Sequence, residues 1–144
     1  MSQSSVPPLD EIVGNFEFLD DWEDRYRYLI ELGRTLPPYP EDARDETHLV
    51  RGCASQVWLE TERGEGDDPV LRVQADSDAH IVRGLVALAL AAYDGKRASE
   101  IGAFEIEPVL RQIGLDEHLT PQRANGFASL VGRIKGEAAT ASAL

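Results

Sequence analysis

The chain has 144 residues, with 26 Asp and Glu against 14 Lys and Arg and a formal net charge of −12, which suits one domain with its own core and repels nucleic-acid phosphates and anionic membrane surfaces. The segment from Met1 to Pro8 has neither a basic n-region nor an apolar h-region, and the longest apolar stretch, Leu85 to Ala92, is far shorter than the about 20 residues of a bilayer span. The expectation is a single cytoplasmic domain over residues 1–144, with a disordered lead over 1–8, that binds neither nucleic acid nor membrane.

In chain order, Leu9, Ile12, Val13, Phe16 and Leu19 recur at helical spacing after Pro7-Pro8. A second helix follows, with Asp20 and Glu23 resembling a capping box and Trp22, Tyr26, Leu29, Leu32 and Leu36 forming one stripe that Pro37-Pro38 ends. From Leu49 the texture turns to β. Val57–Thr61 and Val70–Ala75 are rich in β-branched residues, Gly64–Pro69 reads as the hairpin loop, and Leu49–Arg51 is expected as a third, edge strand. Ser77 or Asp78 then caps an almost wholly apolar helix from Ile81 to Tyr93, closed at Asp94-Gly95. Short helices near Ser99–Ala103 and Pro108–Ile113 precede a last one opened by Thr120-Pro121 and carrying Ala124, Phe127, Val131, Ile134 and Ala138. The fold class is α+β: a small antiparallel sheet with helices packed on one face.

Cys53 is the sole cysteine, so the chain can form no internal disulfide and no multi-cysteine zinc or iron–sulfur site of its own. No resident metal or cofactor is expected. Arg51-Gly52-Cys53-Ala54-Ser55-Gln56 places the sulfur between two strands, in a loop able to present it to a partner. Gly52 permits a turn that exposes the thiol or folds it under, and Arg51 is a candidate for stabilising a thiolate. The competing reading is a small buried hydrophobe, and spacing alone favours it. His48, His80 and His118 are the available bases for a Cys-His dyad, but no hydrolase signature surrounds Cys53. Asp76-Ser77-Asp78 reads as a helix cap before it reads as a cation site, and Arg123 stands in a first helical turn where a cation is mildly unfavourable.

Gly52-Cys53-Ala54-Ser55-Gln56-Val57-Trp58 resembles the cysteine segment of SufE proteins, Asp76-Ser77-Asp78-Ala79-His80-Ile81-Val82-Arg83-Gly84-Leu85 resembles their second motif, and His118-Leu119-Thr120-Pro121-Gln122-Arg123-Ala124-Asn125-Gly126 their third. Trp22–Tyr26, Leu29–Gly33 and Leu36-Pro37 are similar to the first segment, so the likeness runs from about Leu9 to Gly136. Ala54 stands where a polar residue is frequent, Arg83 replaces Lys and Gln122 replaces Ser; Ser55-Gln56 separates the chain from the sister CsdE type.

The resemblance implies a fold shared with IscU-type scaffolds and a role beside a pyridoxal-phosphate cysteine desulfurase of the SufS type. Cys53 would take sulfur as a persulfide, stimulate the desulfurase and pass the sulfur to a SufBCD-type iron–sulfur scaffold complex. The chain would be a transpersulfuration partner rather than an autonomous enzyme, as a monomer or homodimer. Cys53 is the catalytic residue this carries over, and Arg51, Gly52, Ser55, Gln56, Asp76, Asp78 and Arg123 are carried over as loop-holding or partner contacts. A solitary thiol suits a carrier, since a neighbouring one would discharge the persulfide, and a mobile loop over an apolar pocket is expected to shelter it. The alternatives are an IscU-like cluster or zinc scaffold, which wants several thiolates, a CsdE-like acceptor serving another sulfur pathway, and an interaction module with an inert cysteine.

Overall fold

A computed structural model of the chain describes residues 6–53 and 55–143. Part of the expected lead, residues 1–5, lies outside that range, whereas Val6 packs on the core and the Pro8 carbonyl accepts the first hydrogen bonds of α1 (Leu9–Phe18), from Glu11 and Ile12. Ile12 and Phe16 are the wholly buried face of α1. In α2 (Trp22–Gly33) the cap is Asp21, whose carboxylate accepts the Glu23 N–H at 3.1 Å, one residue later than the expected box. Leu29, Leu32 and Leu36 continue the buried stripe, and the chain then crosses through two 3-10 turns, Glu41–Ala43 and Glu46–His48.

The sheet has three antiparallel strands in the order β1 (Val57–Arg63), β2 (Val70–Ser77), β3 (Lys96–Arg97). The hairpin register runs from Val57 opposite Ser77 to Arg63 opposite Leu71. The third strand is not the expected Leu49–Arg51. That segment makes one bridge, Leu49 to Trp58, with the Val50 N–H donating to the Val57 carbonyl at 2.8 Å, and Gly52 then turns it away from β1. The edge is taken by Lys96-Arg97, paired with Leu71 and Val70. The Gly95 and Ala98 N–H groups extend this pairing to the Leu71 and Pro69 carbonyls.

α3 (His80–Tyr93) is the central helix, buried almost continuously from Gly84 to Tyr93. Its N-cap is Ala79; Ser77 and Asp78 serve neighbouring backbone groups, Ser77 Oγ accepting the Ala79 N–H and Asp78 accepting the Gln56 N–H. At its other end Gly95 takes the expected left-handed conformation, and Asp94 accepts the Val73 N–H at 2.7 Å, tying the helix end to β2. α4 (Ala98–Ala103), α5 (Glu107–Gln112) and the one-turn α6 (Leu115–His118), which periodicity cannot reveal in four residues, lead to α7 (Pro121–Ala143). Thr120 Oγ1 accepts the Arg123 N–H at 3.2 Å, as an N-cap should.

Val57, Leu59, Leu71, Val73 and Ala75 point from one sheet face into the main core with α3 and α7. At about 25 cal/mol per Å² of apolar surface, this layer is the principal favourable contribution to folding. The opposite face is sealed at one end by Tyr39, Ala43 and Trp58. No helix among the described residues is long and apolar enough to cross a membrane.

Candidate functional site

Cys53 lies three residues beyond the last backbone bond that holds its segment to β1, Val50 N–H to the Val57 carbonyl. The reversal is made at Gly52, whose φ of +92° is strained for any residue with a Cβ, and a Cβ there would stand 2.5 Å from Ser129 Oγ on α7. The turn brings the half-buried sulfur onto the start of α7. Cys53 Sγ donates to the Gly126 carbonyl at 3.5 Å, and a Cβ on Gly126 would be 3.4 Å from that sulfur. Gly126 is therefore the seat of the thiol. It stands in the third motif, but helical register and a separation of 73 residues hide the pairing from sequence.

The sulfur borders a cavity of about 240 Å³ between the loop, α3 and α7, walled by Val57, Val82, Leu85, Val86, Phe127 and Leu130, with Ser55, Thr120, Gln122 and Arg123 as its polar edge. A second hollow, of about 250 Å³, lies along Leu49–Cys53, Ser55 and Gln56. Liquid water takes about 30 Å³ per molecule, so the first cavity holds an added sulfur atom easily. Among the described residues, these linings contain two arginines, Arg51 and Arg123, and no carboxylate, in a chain with net charge −12.

Burial pushes the Cys53 thiol pKa up, and among the described residues no cation offsets it. Arg51 is exposed with its guanidinium 4.0 Å from Glu46, so in this conformation it does not serve the sulfur. Burial dominates, and the resting group is a protonated thiol at neutral pH.

The other sequence candidates divide into two groups. Ser55 and Gln56 belong to the loop, Arg123 reaches the cavity, and Asp78 holds the loop's far end through Gln56 N–H to Asp78 Oδ1 at 3.1 Å and Asp78 N–H to the Gln56 carbonyl at 3.3 Å. Asp76 stands apart. Buried on the outer sheet face, it binds Arg44 at 2.7 Å and lies 3.0 Å from Arg83 Nε, while Arg44 covers the Trp58 and Tyr39 rings at 5.0 and 5.3 Å. It joins the segment after the proline run to β2 and α3. Ala54 lies outside the described residues.

No histidine among the described residues lines either hollow beside the sulfur. His48 Nδ1 is 2.6 Å from Asp45, His80 is exposed at the start of α3, and His118 stacks on Trp22 with ring centroids 3.7 Å apart while its carbonyl accepts the Tyr26 hydroxyl. Among the described residues, no three His, Cys, Asp or Glu side chains gather as a metal site would.

Fold and site together define a small α+β protein that presents one sheltered thiol on the loop leading into β1, seated against α7. Residues 10–138 match the model of the SufE family, the Fe-S metabolism associated domain. An uncharacterized SufE-like protein of Rhizobium meliloti is 56% identical over 131 residues, covering 90% of this chain and 94% of that protein. Another, of Rhizobium etli, is 55% identical over 131 residues, covering 90% and 88%. The solution structure of a hypothetical protein from Thermus thermophilus superposes with a TM-score of 0.74, covering 96% of this chain and 99% of that one, and at 22% identity it speaks for the fold. The chain belongs to the SufE family and is a protein associated with iron–sulfur metabolism.

Proposed function

We propose that the protein accepts sulfane sulfur from a cysteine desulfurase of the SufS type and carries it as a Cys53 persulfide toward a SufBCD-type scaffold complex. The observation that carries this reading is the lone thiol at the mouth of a mostly apolar cavity large enough for one more sulfur atom. Cys53 loses its proton and its thiolate attacks the terminal sulfur of the desulfurase persulfide. A new S–S bond forms on Cys53, the desulfurase S–S bond breaks, and the desulfurase cysteine leaves as thiolate. The sulfane sulfur keeps its oxidation level and no outside oxidant enters.

The raised thiol pKa fits a gated nucleophile, since thiolate is scarce while the sulfur is covered and becomes available as the loop opens. Covered, the sulfur is also protected from adventitious oxidation. Arg51 and Arg123, flanking it without a carboxylate among them, suit an acidic surface around the donor cysteine. The test is desulfurase turnover, read as alanine released, at increasing acceptor concentration. Wild type accelerates turnover and Cys53→Ser does not, while the Arg51→Glu Arg123→Glu double variant raises the half-saturating concentration roughly tenfold with the maximal rate retained. Equal stimulation by wild type and Cys53→Ser would remove the acceptor role.

A further inference from the structure

One residue outside every recognised motif touches the reactive loop from the far side of its turn. Arg133 of α7 donates from Nη1 to the Leu49 carbonyl at 3.3 Å and from Nη2 to the Thr47 carbonyl at 3.4 Å. Its Nε is 3.6 Å from Glu137, whose other carboxylate oxygen accepts the Thr61 hydroxyl of β1 at 2.8 Å. The guanidinium is thus aimed from behind by a carboxylate that the sheet itself holds. A surface arginine paired only with its i+4 neighbour adds little to stability; this one also reaches two carbonyls 84 and 86 positions away.

The residues of α7 that meet the loop fall on one helical face. Gly126 seats the sulfur, Ser129 lies under Gly52, Arg133 takes the carbonyls of the approach, and Glu137 anchors to β1, at spacings of three or four residues. At the loop's other end Asp78 takes the Gln56 N–H. A cation thus holds carbonyls before the cysteine and an anion holds an amide after it.

We propose that Arg133 is a positioning residue: it fixes residues 47–50 on α7, so that Cys53 leaves its seat by a pivot at Gly52 instead of the whole approach lifting away. A confined pivot returns the sulfur to the Gly126 seat each time the loop closes, while a loose approach would leave the thiol without a fixed cover. The proposal rests on Cys53 as the acceptor, but its test needs no desulfurase.

The experiment is Cys53 alkylation by iodoacetamide as a function of pH, with amide hydrogen exchange of residues 47–53 and, as a control for the whole fold, of 84–90. Losing two side-chain bonds to backbone raises the open population by roughly tenfold. Arg133→Ala therefore alkylates about tenfold faster on its high-pH plateau, with a lower midpoint and faster exchange at 47–50 but not at 84–90. Arg133→Lys, which keeps the charge without the two-pronged grip, falls between. Unchanged alkylation and exchange in Arg133→Ala, or exchange at 84–90 rising in step with 47–50, would overturn the proposal. A failure of the acceptor reading shows separately, as unlabelled Cys53 in the sulfur-transfer assay.

Discussion

Two close approaches in this molecule are both made possible by glycine, and they differ in what the glycine meets. At the α2–α3 crossing a Cβ on Gly84 would stand 2.2 Å from the Leu29 carbonyl oxygen, and one on Gly33 would stand 2.8 Å from the Gly84 nitrogen, so backbone meets backbone. At the loop, a Cβ on Gly52 meets the Ser129 hydroxyl, a side-chain end, and one on Gly126 makes only ordinary contacts of 3.4 to 3.7 Å with the sulfur, Cα and Cβ of Cys53. Packed backbone cannot yield without separating two helices, whereas a side-chain end can rotate. The crossing is the rigid frame and the loop is the part that can open.

The largest expected effect strikes the frame. Gly84→Ala is expected to cost more than about 4 kcal/mol, because overpacking against a carbonyl cannot be relieved by a rotamer change. Urea unfolding measures it, and a loss below about 1 kcal/mol would show the crossing to be adaptable.

Asp76→Ala comes next, at about 2–4 kcal/mol, because it removes the buried carboxylate shared by Arg44 and Arg83 and leaves Arg44 only the exposed Glu41. Cys53 alkylation in the folded variant is expected to match wild type, since Asp76 supports the sheet's outer face and not the sulfur. Changed alkylation without lost stability would reassign Asp76 to the loop.

A smaller effect comes from pH. Burial pushes the Tyr39 and Tyr93 hydroxyls up to about 12, and the Cys53 thiol moves up as well. The folded state holds these protons more tightly than the unfolded chain, so the tyrosine contribution is whole below the ordinary value near 10 and is lost as pH climbs through about 12, while the Cys53 contribution begins to fade from the ordinary thiol value of about 8.5. Tyr93→Phe should flatten that alkaline decline, and an equally steep decline in the variant would assign it elsewhere.

The smallest change in stability, within about 1.5 kcal/mol, is expected from Gly126→Val, where lost crowding space is partly offset by better helix propensity. Its effect should appear at the sulfur as severalfold faster alkylation, because the seat is filled. Alkylation at the wild-type rate would mean that Gly126 does not hold the thiol.

Much of the frame was legible because periodicity reports burial. The unbroken apolar run from Ile81 to Tyr93 marks a helix covered on all sides, and Thr120-Pro121 marks the start of α7. The third strand was misplaced for the same reason. Leu49 and Val50 are apolar because they are partly or fully buried, yet they leave the sheet after one bridge, while Lys96-Arg97 pair through backbone alone and show no β pattern. At the site, Cys53 stands out through its neighbours, and Asp78, expected as a loop-holding or partner contact, accepts the Gln56 N–H. Asp76 shares its motif but still lies within β2, opposite Trp58 on the outer face, whereas Asp78 comes just after the strand ends, a boundary that a motif does not display. Gly126 and Arg133 act across more than seventy residues of chain, and only the register of α7 brings them to the loop.

The account turns on whether Cys53 carries sulfur, and transfer of radiolabelled sulfur from cysteine through a SufS-type desulfurase tests that most directly. The expected result is one labelled sulfur on the Cys53 peptide, released by dithiothreitol and missing in Cys53→Ser. Label that stays on an active desulfurase, with Cys53 unmodified and reactive to iodoacetamide, would contradict it.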